Sequence, residues 1–458
     1  MANRHKSFTR DCSGGISIYA ALFTIVAVGA GGLALDFGRM TLLRSEMQNR
    51  ADAAAMATAQ FLDGSLGARS LATDVANNSM QAKSGTSSND LTISSVTFYT
   101  TLSPLLEATS DQNAKFVSVE LNQATTDLLF GPVISLLTSE VTSTSTSQRA
   151  KAIAGPTPFL CHAPPLMICD FLENTPAIDL RDEANIGRMV VLKEPQGGGS
   201  WAPGNFGLLS LPDGSSGAND IEAALAAVEP QDCYDITIDT ATGSKTNKIV
   251  NGINSRFDRP GNSWPYPAPN VINYPKDDDV IADPDLKLGD GTWDITQYWT
   301  DQHGTSILPT ELRTHDGKQA TRYQVYLFEN GLPFWRKGNV TIYPVPGGSM
   351  PSGYMSVTNT TVDIPRDLSD PHNNDVDGIP SETVASNGVN RRLIQVAQLK
   401  CIAENIHGHG TYPNDGNYLE MLVTEFVPDP PNAAIYGEIV RALTPSNSAE
   451  YHANVKLY

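Results

Sequence analysis

The hydrophobic pattern of the chain has one dominant feature. Ile16–Leu35 (ISIYAALFTIVAVGAGGLAL) is a nearly uninterrupted apolar run. As a helix rising ~1.5 Å per residue it spans roughly 30 Å, the thickness of bilayer hydrocarbon. The chain continues without proline through DFGRMTLLRSEMQNRADAAAMATAQFLDG. In this stretch Met40, Leu43, Met47, Ala51, Ala54 and Ala55 recur near helical spacing. The pattern predicts a span that runs on as a rigid stalk toward Gly64. A basic start (Arg4, Lys6, Arg10), an apolar core and the small residues Gly29–Gly32 also describe a cleaved secretory signal. The length of the run, the abrupt Asp36 and the continuing helical period favour an uncleaved anchor. Cys12 precedes the run, so it is not a lipoprotein acceptor, which would follow one.

Beyond Gly64 the pattern changes period. A short helix is predicted at Leu71–Gln81. Leu91–Thr100 and Ala114–Leu121 alternate and are rich in β-branched and aromatic residues, as strands are. Thr126–Leu137 reads as a short amphipathic or buried helix, and Val141–Gly155 as one long strand with a Ser/Thr face. Glycine and proline clusters then punctuate Pro156–Tyr458. Ile221–Val228 reads as an Ala-rich helix. Arg322–Glu329, Gly338–Val345, Arg392–Glu404, Leu419–Val427, Ile435–Leu443 and His452–Tyr458 read as strands. The expected fold class is α+β. A basic tail (residues 1–15) and a transmembrane helix (16–35) precede a stalk with a small, pilin-like α/β domain (36–155). A mixed, mostly β, loop-rich domain (156–458) follows.

Charge narrows the partners. The chain carries a net charge of −19, and its Lys and Arg are not clustered. Phosphate binding needs clustered cations, so this balance argues against nucleic acid as a partner. The acidic balance is ordinarily a solubility device. Three basic residues precede the apolar run, and Arg39, Arg44 and Arg50 follow it, so charge bias does not orient the span. Cysteine speaks more clearly. Four lie beyond the anchor, at 161, 169, 233 and 401, and an even count in a large polar region fits two disulfides in an oxidising compartment. The alternative is four reduced, buried thiols in the cytosol. The preferred pairing is Cys161–Cys169, closing a short proline-containing loop, with Cys233–Cys401 tying distant strands. The expected topology is a cytoplasmic N-terminus, one span in the inner membrane, and Asp36–Tyr458 in the periplasm.

Candidate chemistry is sparse. Thr242–Lys248 (TGSKTNK) lacks P-loop spacing. Glu404, His407 and His409 lie close together, but the GHG sequence favours a turn over a helical ligand face. In Asp367–Gly378 (DLSDPHNNDVDG), Asn373, Asp375 and Asp377 before Gly378 imitate the start of a calcium loop. The closing Glu is missing, since Val384 stands at its place and Glu382 comes two residues early. The competing reading is a solvated acidic turn. No nucleophile elbow, HExxH or paired catalytic carboxylate motif occurs, so no cofactor other than weakly held calcium is expected. Small residues in the span (Ala27, Gly31, Ala34) allow a partner helix to approach in lipid. The Ala-rich side of the stalk, with Ala51 and Ala54, allows close approach of a helix or a sheet.

The segment from Gly14 to Ala59 resembles the N-terminus of TadE/TadG-like Flp (tight-adherence) pilus-assembly proteins. Their hallmark is an apolar anchor ending in a small-residue turn and Asp, then an Arg and an Asn-x-Ala-Asp-Ala-Ala-Ala-like run. Asp36, Arg39 and Asn49–Ala55 (NRADAAA) match it. Six further segments resemble the TadG type: Cys161–Cys169, Trp201–Leu209, Asn254–Pro260, Leu288–Trp299, Arg322–Glu329 and Arg391–Cys401. Two features of relatives are not carried over. Pilins place Glu five residues after the peptidase-cut Gly, where this chain has Ala20, and the Asp-x-Ser-x-Ser motif of von Willebrand A modules is absent. The resemblance implies a non-enzymatic, pseudopilin-like or scaffold subunit working beside other pilus-assembly proteins. The alternative is an anchored hydrolase or sugar-binding protein of the cell envelope.

Overall fold

In a computed structural model, residues 15–458 are described apart from 65–66, 80–86, 88, 112, 131–143, 176–178, 195–206, 228–229, 231, 244, 258–269, 345, 360–390, 431–432 and 446. The chain divides into two compact units, Met1–Thr157 with Ala453–Tyr458, and Pro158–His452.

The first unit is built on helix α1, Gly15–Ala59. Its two halves meet different surroundings. Ile18, Tyr19, Leu22, Phe23, Ile25, Val26 and Val28 are exposed. Leu43, Met47, Ala51, Ala54, Ala55 and Ala59 are buried to 1% or less. Their spacing of three or four residues places them on one face. This face lies on an antiparallel sheet of strand order β18-β6-β3-β1-β2, where β1 is Ile93–Leu102, β2 Leu105–Glu107, β3 Phe116–Leu121, β6 Lys151–Cys161 and β18 Tyr451–Leu457. Val117, Val119, Leu121, Ala152 and Ala154 supply the sheet side of the core. Alanine on the helix permits the close approach, and the larger strand residues fill the remaining space. Helix α2, Ala68–Ser79, packs Ala72 on the same core. Its start is pinned by Asp111, which accepts the Gly67 amide and the Arg69 Nε, each at 2.9 Å.

Three sequence expectations fail here. Ala124–Asp127 is strand β4 rather than the start of a helix. It pairs with β5, Ser145–Gln148, in a separate ribbon, so Val141–Gly155 is not one long strand. The rest of the expected helix lies outside the described residues. The closing strand β18, assigned from sequence to the second domain, instead joins the sheet of the first unit. There the Tyr458 amide bonds to Ile153 O, and the Tyr458 ring packs edge-on to Phe116.

The second unit centres on a five-stranded sheet in the order β7-β14-β16-β17-β8: Met167–Cys169, Leu393–Leu399, Tyr418–Val423, Ile435–Ala442 and Met189–Lys193. Only the β7–β14 pair is parallel. Leu419, Met421 and Val423 face a core with helices α3 (Ala218–Ala226) and α4 (Thr246–Asn254). Leu422 and Val440 face the aromatic core of α6 (Ile295–His303) and α7 (Arg322–Glu329), beyond the short helix α5 (Asp278–Ala282). Both faces are covered, so the strands are mainly apolar, with buried polar residues such as Gln398, Glu420 and Glu438 among them.

Helix α7 corrects an expectation of strand. Thr321 and Gln324 form a reciprocal capping box, and the Glu438 carboxylate accepts the Arg322 and Tyr323 amides at 2.9 Å each. Four backbone amides at its N-terminus, those of residues 321 to 324, thus find side-chain acceptors. Six consecutive residues, Arg322–Leu327, are buried, so no exposed face marks the helical period in the sequence.

The disulfides also differ from expectation. The structure pairs Cys161 with Cys233 and Cys169 with Cys401. Cys161 sits opposite Cys233 where β6 pairs with β9 (Cys233–Tyr234), and Cys169 pairs with Leu399, two residues before Cys401. Strand pairing, rather than nearness in sequence, decides which sulfurs meet.

Candidate functional site: the Asp36 junction of the apolar helix

The four glycines at 29, 31, 32 and 38 lie inside a continuous helix, not in a turn. Helix-interior glycine is disfavoured by ~1 kcal/mol relative to alanine in water, so each invites a packing reason. One has it. A Cβ at Gly32 would lie 2.5 Å from Phe130 Cγ, whereas nothing lies within 4 Å of Gly29, Gly31 or Gly38. The Phe130 ring therefore rests on helix backbone.

One helical turn later, Asp36 is only 6% exposed. Its Oδ1 accepts the Leu129 amide at 2.7 Å, and its Oδ2 accepts the Phe130 amide at 3.0 Å. The third amide of the turn, Leu128, donates to Thr144 O at 2.8 Å. Asp36 is thus a buried acceptor that fastens the Leu128–Phe130 turn to α1. The sequence reading took it as the point where a span reaches water. Leu33, Leu35 and Phe37, which flank the Gly32–Asp36 face at ~60–100° around the helix, remain exposed apolar groups.

The other residues singled out from sequence fall into three groups. Ala27, Gly31 and Ala34 are exposed on α1. Ala51 and Ala54, offered to a helix or a sheet, pack on the protein's own sheet and present no surface to a partner helix. The calcium-like Asn373, Asp375 and Asp377 lie outside the described residues. His407 follows the Cys401–Asn405 turn, with its Nδ1 2.6 Å from Asn405 O.

Three polar clusters in the second unit had no motif to announce them. Glu329, fully buried, is reached by Tyr274 Oη at 2.6 Å, Tyr298 Oη at 2.8 Å, His303 Nε2 at 3.1 Å and Asn270 Nδ2 at 3.2 Å. Arg322 bridges Asp277 at 2.7 Å and Glu438 at 3.1 Å, all three side chains being inaccessible. Burial pushes the Glu438 carboxyl up to about 7, against the opposing pull of the Arg322 guanidinium. Asp277, Asp279 and Asp290 also approach one another within 4.8 Å. Asp277 in that group already accepts Arg322 Nη2 and the Met189 and Gly291 amides. Asp277, Glu329 and Glu438 are thus each engaged by several donors of their own unit. The one legible sign was Glu438 itself, a lone acid within the apolar run IYGEIV.

Ser17–Ala59 is long and apolar enough to cross a membrane. Residues 14–60 match the family described as putative Flp pilus-assembly TadE/G-like. No curated protein and no solved structure matches the chain. The matched stretch is essentially helix α1, with Gly32 and Asp36 at its centre. The likeness to this family thus covers helix α1 and does not extend to the sheets that follow it.

Proposed function

We propose that the chain is a non-enzymatic, single-span component of Flp pilus assembly, acting as a pseudopilin-like or scaffold subunit beside other pilus-assembly proteins. Its N-terminal tail is cytoplasmic and Asp36–Tyr458 periplasmic. The observation that carries this reading is that the matched family segment coincides with α1, whose front half is exposed and apolar and whose back half is the spine of a folded unit. Two disulfides beyond the helix support an oxidising side for that part. The exposed small residues Ala27, Gly31 and Ala34 support contact with a partner helix in the membrane.

Two measurements test the reading. A periplasm-active reporter fused at Tyr458 should be active, and activity from a cytoplasmic reporter alone would reverse the topology. Gly31→Leu, at a position with no neighbour within 4 Å, should leave the fold intact and reduce co-purification with pilus-assembly proteins. Unchanged co-purification and pilus formation would make the span an anchor and nothing more.

A further inference from the structure

We propose that the Leu128–Phe130 turn is a lipid-contacting wedge: Leu129 and Phe130 enter the membrane beside residues 32–36 of α1. This rests on reading Ile16–Leu35 as a membrane span, and adds a second point of contact from the folded unit.

Position along the helix comes first. The Phe130 ring lies against Gly32, inside the apolar run. Gly32 is four residues before Asp36, so the ring sits ~6 Å toward the span's centre from that carboxylate. A side chain held there cannot stay in water if the apolar run is in hydrocarbon.

Polar satisfaction comes second. Irregular backbone is tolerated at membrane depth only where its polar groups find partners. All three amides of this turn have one: Leu128 donates to Thr144 O, and Leu129 and Phe130 donate to Asp36. The carboxylate is itself screened by this arrangement, being 6% exposed.

Apolar continuity comes third. Leu129 is 56% exposed although it sits beside a large hydrophobic surface, and the nearby helix positions Leu33, Leu35 and Phe37 are exposed by 58%, 58% and 66%. The turn extends the apolar surface of the span sideways without a break in chemistry. Apolar side chains at such a depth, roughly 5–10 Å into the headgroup–acyl boundary, are how interfacial segments hold to membranes. The occupant that fits is therefore the lipid surface itself. The wedge would fix the rotation of α1 about its axis, which a lone smooth helix does not do.

The test uses the full-length chain in phosphatidylcholine–phosphatidylglycerol vesicles, with Cys12→Ser so that single new cysteines carry an environment-sensitive fluorophore. Leu129→Cys reports the wedge. Val26→Cys reports the span. Leu105→Cys is the aqueous control, because the neighbouring Ala108 carbonyl is held by Arg69 near the opposite end of α1. Lipids brominated close to the headgroup should remove about half of the Leu129 probe's fluorescence, those brominated at the chain ends should remove less, and the Leu105 probe should be unaffected. Quenching at Val26 without quenching at Leu129 overturns the wedge, whether water or a second protein covers the turn, and leaves the span standing. Absence of quenching at Val26 overturns the span and the wedge together. Because Leu129 is exposed, its substitution leaves the packing of the unit in place.

Discussion

Replacing Asp36 by alanine isolates what holds the turn to the helix. Two backbone amides, Leu129 and Phe130, lose a carboxylate acceptor at 2.7 and 3.0 Å. A hydrogen bond to a charged group contributes about 1.5–3 kcal/mol, and the two share one carboxylate, so the loss is about 2–4 kcal/mol rather than the full sum. That corresponds to local opening about 30- to 1,000-fold more frequent. The assay is hydrogen exchange at single-amide resolution on the full-length protein in detergent micelles. Leu129 and Phe130 should exchange faster by that factor. Leu128, which donates to Thr144 O instead, should change much less and serves as an internal reference. Asp36→Asn keeps an acceptor oxygen without the charge and should fall between wild type and alanine. The back half of α1 should be untouched, because its core of Leu43, Met47, Ala51 and Ala54 does not involve Asp36. Wild-type exchange at Leu129 and Phe130 in the alanine variant would show that the carboxylate does not hold the turn, and packing of Phe130 on Gly32 would have to account for it alone.

Adjacent glycines offer a sharp contrast: Gly32→Ala should loosen the same two amides, because the new Cβ meets Phe130, whereas Gly31→Ala should leave them at wild-type protection. Ala54→Leu, placing three more carbons at a site 1% exposed, should destabilise the first unit by about 1–3 kcal/mol in thermal unfolding. Removing Cys169–Cys401, which spans 232 residues, should lower the denaturant midpoint of the second unit more than removing Cys161–Cys233, which spans 72; chain entropy gives about 5 against about 4 kcal/mol. All five tryptophans lie between Trp201 and Trp335, so their fluorescence follows that unit alone. The same signal checks Glu438. Its carboxyl is raised from the ordinary 4.5 to about 7, so its contribution is fully present below pH 4.5 and lost as pH rises through 7. Glu438→Gln should flatten the pH dependence of unfolding across this window by about 3 kcal/mol, and an unchanged slope would refute the assignment.

The division of α1 was legible because both halves obey simple periodicities. An apolar run of bilayer length and a stripe at Leu43, Met47, Ala51, Ala54 and Ala55 can each be read from residue types alone, and the α+β class follows from the alternating strands after them. Long-range partners could not be read in this way. The disulfide expectation weighed loop lengths along the chain, but Cys161 meets Cys233 because β9 pairs with β6, and nothing near either cysteine encodes that pairing. Helix α7 was misread for a related reason. Its decisive signals are the Thr321–Gln324 box, which is local, and Glu438, which arrives from a strand 116 residues later to accept the Arg322 amide.

Asp36 carries the same lesson into the site. A lone acid at the end of an apolar run has two physical solutions: it reaches water, or it finds donors. Sequence alone favours the first, since the donors here are backbone amides of Leu129 and Phe130, and an amide leaves no trace in residue identity. Gly32 is what distinguishes the two. A glycine one turn before the acid is unfavourable in a helix with no contacts, and Gly29, Gly31 and Gly38 show that α1 carries glycines with no close neighbour at all. Only at position 32 does something occupy the missing side chain's place, and what occupies it is the residue whose amide Asp36 accepts. Gly32 and Asp36, four residues apart on one helical face, therefore act as a single receptor for Phe130, one taking its ring and the other its N–H. A Gly-x-x-x-Asp pair at the end of an apolar run is in this chain the mark of a docked turn rather than of the water boundary.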